Sequence, residues 1–290
     1  MEFDNREYET HRYFHKTDHS DQQPGRKLLA AACSVLLMMV AGQVNGSQAM
    51  ELGDGQIKGG VLKPYDLNWN QCILQEGEWL NQGELNEKFD RIGDSVVRHR
   101  QTTSRPDGGS SVATTFYERN TFSPLRVEVS IFQPDGMRAG WSEYEFNKEG
   151  YHGQKTRGEE YKQVSGALTS DMLNGAALGL PIATIDWQDE PLTFLASMLS
   201  FDASYEVIAT WTGTEQIPGP AGKPVEAWLV DLEWKHRELG DVYAPGPDAS
   251  GGRFWIVPNP PEGYPYVPRY KTDTYVIEFT REYCPETGQE

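Results

Sequence analysis

LRVEVSI, residues 125–131, alternates apolar and polar side chains along its whole length. The apolar positions are every second residue: Leu125, Val127, Val129 and Ile131. A period of two is typical of a β-strand with one buried and one solvated face. A turn at Pro134–Gly136 follows, and alternation resumes over Trp141–Phe146. The sequence therefore predicts two antiparallel strands here.

The same pattern extends to both sides of this pair. Ser95–Gln101 and Ser111–Tyr117 flank the turn sequence Arg105–Gly109, which predicts a hairpin. Glu159–Val164 adds a further strand. Together these segments predict an antiparallel meander of five or six strands.

The C-terminal half contains a second set of predicted strands. They are Tyr205–Trp211, Val225–Trp234, Arg253–Val257 and Tyr275–Arg281. Pro258–Pro268 is so rich in proline that we expect an extended crossing there instead of a central strand.

A short helix is predicted between the two sets of strands. Asp189 is a suitable N-cap, and Pro191 lies in the first turn, where a missing N–H costs little. Apolar residues then follow at Leu192, Phe194, Leu195, Met198 and Leu199. The predicted fold is mainly β: a strongly curved antiparallel sheet or half-open β-barrel with one or two short covering helices. We expect a single β domain over residues 84–284, preceded by an extended lead-in over 50–83 and followed by a tail over 285–290.

The N-terminal residues 1–49 predict a leader and an export signal. Arg26-Lys27 precedes the apolar run Leu28–Gly42, and small residues follow at Ser47–Ala49. A membrane-spanning helix needs about 20 apolar residues, more than this run supplies. We expect cleavage after Ala49, a disordered leader before the apolar helix, and a periplasmic protein with no stable membrane span. The alternative is an uncleaved inner-membrane anchor formed by Leu28–Gly42.

The net charge limits the classes of possible partner, and the cysteines indicate a disulfide. The formal net charge of −17 argues against nucleic-acid binding, because an acidic surface repels phosphate. Cys72 and Cys284 remain after signal cleavage. In an oxidising compartment such a pair favours a disulfide over zinc, which needs about four ligands. Two free buried thiols are the alternative.

No motif in the sequence assigns a catalytic residue, a metal or a cofactor. His99, His152 and His236 have no partner at metal-ligand spacing. His99 and His236 lie among Arg and Lys residues, so we expect both imidazoles to be solvated. No nucleophile elbow or phosphate-binding loop is present. An acidic pair for glycoside hydrolysis would be spatial and therefore invisible at this stage.

Aromatic residues are the remaining candidates for function. Tryptophan and tyrosine crowd the C-terminal half, where they either fill the space inside a curved sheet or line a cleft. If they line a cleft, the expected ligand contacts are Phe194, Trp228, Trp234, Trp255 and Tyr266.

The chain resembles an uncharacterised family of exported Gram-negative proteins classed as a domain of unknown function. The resemblance runs from about Leu85 to Tyr283. It rests on these segments: Tyr144–Phe146, Tyr151–Gly153, Asp189–Leu199, Arg253–Val257 and Tyr266–Tyr270. It implies a periplasmic half-open β-barrel, similar in outline to lipoprotein carriers, with no catalytic residues to carry over. The loops Pro218–Pro224 and Gly240–Gly252 depart from the family pattern.

Three functions follow from these observations. The leading hypothesis is a non-enzymatic binding or envelope-maintenance protein whose aromatic concave face holds an apolar ligand or a segment of an envelope protein. The alternative is a carbohydrate-binding or carbohydrate-hydrolysing protein that uses the aromatics and an acidic pair. The third is a structural partner in an envelope complex, with Pro258–Tyr270 as its interface.

Overall fold

The computed structural model describes residues 48–50, 52–75, 77–157, 160–168, 172–187, 190–198, 203–236, 251–272, 275–280 and 284. Within these ranges the protein is almost entirely β-structure. Its strands are β1 (Gln48–Ala49), β2 (Tyr65–Gln75), β3 (Glu78–Ile92), β4 (Val96–Ser104), β5 (Ser110–Glu118), β6 (Pro124–Phe132), β7 (Arg138–Phe146), β8 (Tyr151–Arg157), β9 (Glu160–Gly166), β10 (Leu173–Asn174), β11 (Leu192–Met198), β12 (Ala203–Pro218), β13 (Pro224–His236), β14 (Gly251–Ile256), β15 (Arg269–Lys271) and β16 (Tyr275–Thr280). One α-helical turn, α1 (Gly179–Ile182), and 3₁₀ turns at Gly59–Val61, Gly175–Ala177 and Pro220–Gly222 complete the described elements.

The strands form one sheet that does not close on itself. From end to end its order is β1-β11-β12-β13-β14-β15-β16-β2-β3-β4-β5-β6-β7-β8-β9. All neighbours are antiparallel except β1 and β10, which both pair with β11 in parallel. The prediction of a mainly β, antiparallel sheet in an open, barrel-like arrangement is confirmed.

The alternation seen in the sequence forms the predicted strands of the meander, but the apolar face of β6 is buried only in its middle, because Leu125 and Ile131 are 37% and 42% exposed. Val127 on β6 pairs with Tyr144 on β7, and both are buried. The predicted hairpin is β4–β5 and the further strand is β9. Residues 50–83, expected as an extended lead-in, contain β2 and the start of β3 in the same sheet.

The prediction of a helix after Pro191 is wrong, because residues 192–198 form strand β11. Leu192, Phe194 and Ala196 are buried on one face, and Ser197 is buried on the other. A strand covered on both faces has apolar residues at both parities, so its sequence loses the period of two and imitates a short helix. The predicted cap Asp189 and the final residue Leu199 lie outside the described residues.

The concave face of the sheet is filled by the chain itself. Two stretches outside the long strands pack into it: residues 52–62 and residues 172–187, here called the inner segment. Leu178, Ile182 and Ile185 of the inner segment are fully buried in the main core cluster. The side chain of Asn174 donates hydrogen bonds to Thr115 Oγ1 (3.4 Å) and to the Tyr117 hydroxyl (3.3 Å), so polar contacts also anchor this segment.

A smaller cluster lies on the opposite face of β13 and β14. Its buried members are Ile217, Ala227, Trp255 and Val257. On the same face of the sheet as Trp255, Cys72 of β2 forms a disulfide with Cys284, with the two Cα atoms 5.5 Å apart. The bond joins positions separated by 212 residues in sequence, so it ties the chain after β16 to β2, the strand that pairs with β16.

Candidate functional site

The structure places three of the expected ligand contacts inside the main core. Phe194, Trp234 and Tyr266 are 3%, 2% and 5% exposed. The Trp234 ring meets Tyr205 edge-on at a centroid distance of 5.8 Å. Trp228 is partly buried against the same cluster. The surfaces of Phe194 and Trp234 are therefore occupied by other residues of the chain, whereas Tyr266 also lines a cleft described below.

Trp255 is separated from the other four residues. It pairs with Leu229 on β13, whereas the core residue Val230 pairs with Phe254, so Trp255 points to the opposite face. Its indole N–H donates to Glu215 Oε2 at 2.9 Å, and the Arg269 guanidinium lies 5.4 Å from the ring centroid. This side chain belongs to the outer cluster and does not contribute to a shared aromatic site.

A different cleft combines aromatic side chains with open space. It lies between the start of β2 and the proline-rich chain before β15, and its volume is about 670 Å³. We call it the Tyr–Pro cleft. It is lined by Lys63, Pro64, Tyr65, Asp66, Leu67, Pro260, Pro261, Glu262, Gly263, Tyr264 and Tyr266.

Three tyrosines form the aromatic wall of the Tyr–Pro cleft. The Tyr65 ring lies 5.8 Å from the ring of Tyr266 and stacks on Phe89 at 5.9 Å. The Tyr266 hydroxyl accepts the backbone N–H of Lys63 at 3.2 Å. The Tyr264 hydroxyl donates to the carbonyl of Pro218 at 2.7 Å. These bonds hold the proline-rich chain against the start of β2 and the end of β12.

All three phenols are held in the neutral form. Burial raises the pKa of Tyr65 well above its usual value, and the negative charge of Glu87 raises it further. Burial and the charge of Glu278 raise the pKa of Tyr264 to about 12. Burial also raises the pKa of Tyr266. The Tyr65 hydroxyl is buried and has no hydrogen-bond partner of acceptable geometry among the described residues.

A buried hydrogen-bonded pair, His99 and Glu87, lies beside Tyr65. His99 Nε2 is 2.7 Å from Glu87 Oε1, and the His99 side chain is only 4% exposed. The expectation that His99 is solvated is wrong, because its charged neighbours point to the opposite face of β4, where Arg98 pairs with Asp90. Flanking charges in a strand say little about the face that a residue occupies.

The other two histidines do not form a site with His99. His152 on β8 is mostly exposed, and its Nε2 lies 3.2 Å from Glu145 Oε2. The side chain of His236 lies outside the described residues. Over the described ranges, no three His, Cys, Asp or Glu side chains are arranged to hold a metal ion.

A second depression, of about 500 Å³, lies over strands β7, β8 and β9. We call it the edge depression. Its lining is mostly polar: Glu143, Glu145, His152, Gly153, Gln154, Gln163, Val164 and Ser165. Arg126 contacts both Glu128 and Glu143 beside it, at 2.7 and 2.5 Å.

Sequence reasoning found half of the Tyr–Pro cleft. Pro258–Tyr270 stood out by composition and was predicted as an interface, and it supplies Tyr264 and Tyr266. Tyr65 was missed, because Lys63–Leu67 carries no motif and lay in the expected lead-in. Only the pairing of β2 with β16 and β3 brings it to the proline-rich chain.

Comparison with known proteins identifies the fold and nothing finer. No family model and no curated protein matches the chain. The crystal structure of a beta-barrel-like protein of domain of unknown function DUF1849 from Brucella abortus is similar, with a TM-score of 0.50 and 10% sequence identity. The match covers 78% of this chain and 98% of that chain. In the part of the chain that the structure describes, no helix has the length and apolar character needed to cross a bilayer.

Proposed function

We propose that this chain is an exported, non-enzymatic binding protein of the cell envelope, and that its ligand site is the Tyr–Pro cleft. The observation that carries the proposal is an open cleft of about 670 Å³ walled by tyrosine and proline. Ligand sites in proteins typically measure roughly 300–1,000 Å³ and combine apolar walls with a few polar groups. The expected ligand is mainly apolar, with polar groups that meet the charged side chains of the lining, Lys63, Asp66 and Glu262.

The cleft suits this role better than the concave face of the sheet. A ligand on the concave face would have to displace the inner segment, which buries several large apolar side chains. Burying such a side chain contributes about 1.5–3 kcal/mol, so displacing several is unfavourable. The Tyr–Pro cleft requires no displacement, because it is open space in the folded protein.

Export is supported by the N-terminal apolar run and by the disulfide. Leu28–Gly42 follows a basic pair and has the length of a cleaved signal. The Cys72–Cys284 bond is the kind of bond that persists in oxidising compartments such as the periplasm. Both observations favour the periplasm as the working location.

Replacing Tyr264 by alanine is expected to weaken binding of the uncharged lipid-mimicking fluorophore phenylnaphthylamine by about tenfold, which corresponds to about 1.4 kcal/mol. The ring lines the cleft, so its removal takes away contact area. Fluorescence titration of the purified protein measures the affinity. Tyr264→Phe keeps the ring and is expected to bind nearly as the parent does.

Tyr161→Ala is the matched control, because Tyr161 is an exposed tyrosine on β9 and does not line the cleft. Equal affinities for the parent and Tyr264→Ala would reject the Tyr–Pro cleft as the site. Displacement of the fluorophore by a polysaccharide, and not by an apolar competitor, would favour the carbohydrate alternative.

Replacing Leu36 and Leu37 by arginine is expected to keep the full-length chain in the cytosol, because two charges interrupt the apolar run. Cell fractionation and mass spectrometry of the parent should find a periplasmic product that begins at Met50. A full-length parent chain in the membrane fraction would instead support the uncleaved anchor. A full-length parent chain in the cytosol would contradict export.

A further inference from the structure

One end of the open sheet is a regular strand without a neighbour. β9 pairs with β8 over seven residue pairs with no register shift. No other described residue pairs with its second edge. At the other end of the sheet, β10 pairs in parallel with Ala196 and Ser197 of β11, and the N–H of Met50 donates to the carbonyl of Thr193, so that edge is partly covered even after cleavage behind Ala49. Of the two ends, β9 therefore presents the bare edge.

The β9 edge lacks the features that usually block edge pairing. Natural edge strands carry prolines, bulges or dense charge that prevent another strand from adding. Between Glu160 and Gly166 there is no proline or bulge, and the charged residues are Glu160 and Lys162. Tyr161 is 54% exposed and its hydroxyl donates to Gln154 Oε1 at 2.8 Å, which holds the ring along the strand.

The register of the hairpin shows which backbone groups face outward. Arg157 pairs with Glu160, and two residues separate them in sequence. In an antiparallel hairpin with this spacing the closing pair is hydrogen-bonded. Hydrogen-bonded and non-hydrogen-bonded pairs then alternate. The N–H and C=O groups of Tyr161, Gln163 and Ser165 therefore point away from β8 and are free for a further strand.

The side chains beside this edge determine what kind of strand fits. Gln163 and Ser165 open into the edge depression, whose far wall carries Glu143 and Glu145. Glu128 lies next to Glu143, Arg126 contacts both, and His152 Nε2 lies 3.2 Å from Glu145, so three Glu side chains face one Arg and one His. The whole chain has a net charge of −17. These charges favour a partner with basic side chains on the face that enters the depression.

We propose that the β9 edge is a docking site for an extended, basic segment of a partner protein, which adds to the sheet as a new antiparallel strand. Main-chain hydrogen bonds to Tyr161, Gln163 and Ser165 provide the affinity, and Lys or Arg side chains at alternate positions enter the edge depression. Seven residues of strand span about 23 Å, which is enough for a short peptide motif. The site is independent of the Tyr–Pro cleft.

A seven-residue peptide of alternating lysine and threonine tests the proposal. The full protein is expected to bind this peptide at least tenfold more tightly than a peptide of alternating glutamate and threonine. The Glu143→Gln/Glu145→Gln double variant should reduce the preference to less than threefold, because the charges of the depression are removed. Calorimetric titration at low salt gives each affinity.

Gln163→Pro is the edge variant, since proline removes one outward N–H without touching the pairing with β8. It is expected to weaken binding of the lysine peptide at least tenfold, while the urea unfolding midpoint stays close to the parent value and shows that the protein is folded. On binding, hydrogen exchange should slow at the amides of Tyr161, Gln163 and Ser165.

Three results would overturn the proposal: no binding of the lysine peptide, equal binding by Gln163→Pro, or exchange protection away from β9. Self-association of the parent that Gln163→Pro abolishes, without peptide binding, would assign the edge to a second copy of the chain and likewise reject a basic partner. Each outcome is independent of whether the Tyr–Pro cleft binds its own ligand.

Discussion

Replacing Cys72 and Cys284 by serine is expected to lower the free energy of unfolding by up to about 5 kcal/mol. The bond spans 212 residues, and closing so long a loop removes much of the entropy of the unfolded chain. For a domain of this size the loss corresponds to a fall in Tm of roughly 10–20 °C. Urea unfolding of the oxidised parent and of the double variant measures the difference.

Two controls isolate the effect of the bond. The single variant Cys72→Ser should be as unstable as the double variant, because either change removes the same link. A reductant should destabilise the parent and leave the double variant unchanged. Equal unfolding midpoints for the oxidised parent and the double variant would contradict the prediction, and would mean that the two cysteines are not joined in the folded protein.

Trp234→Ala is expected to cost about 3–5 kcal/mol of stability, the range for removing a large aromatic side chain from a core. The ring is almost fully buried, packs edge-on against Tyr205 and faces the space that the inner segment fills. Thermal or urea unfolding measures the loss. Affinity for phenylnaphthylamine, measured where the variant is still folded, should stay at the parent value.

Trp234→Phe and Tyr161→Ala are the matched controls. The Trp234 indole N–H has no hydrogen-bond partner among the described residues, so phenylalanine keeps most of the contact and should cost less than half as much. Tyr161 is exposed, and its truncation should change stability by about 0.5 kcal/mol or less. A stable Trp234→Ala that loses fluorophore binding would instead restore Trp234 as a ligand contact.

Sequence-based prediction of strands is most successful where apolar and polar residues alternate. Leu125–Ile131 and Val225–Trp234 show this alternation, the hairpin around Arg105–Gly109 is marked by its turn sequence, and the structure has strands at each. Burial follows the pattern less closely, because Leu125 and Ile131 are exposed and Ala227 is buried on the second face of β13. The proline-rich stretch before Arg269 was also interpretable, because proline cannot donate to a sheet ladder. Alternation and the missing N–H of proline are local properties of the chain, so they can be read directly from the sequence.

The same reasoning failed where burial depends on distant residues. The sequence of β11 predicts a helix, because both faces of this strand are covered and its apolar residues do not alternate. The charged neighbours of His99 predict a solvated imidazole, but the side chain is buried. In both cases the deciding surroundings come from other strands. The expected aromatic site divided for the same reason, since cross-strand register sends Trp255 to one face and Trp234 to the other.

From its sequence alone this protein is determined to be an acidic chain of alternating strands, because a period of two follows directly from strand geometry. Only the tertiary structure decided that the concave face is filled by the chain's own residues 172–187, that Tyr65 meets Tyr266, and that β9 ends the sheet with no further neighbour among the described strands. The alternation of apolar and polar residues determines which face of a strand is apolar. Which other segment covers that face depends on contacts between residues far apart in the chain, and no local pattern encodes them.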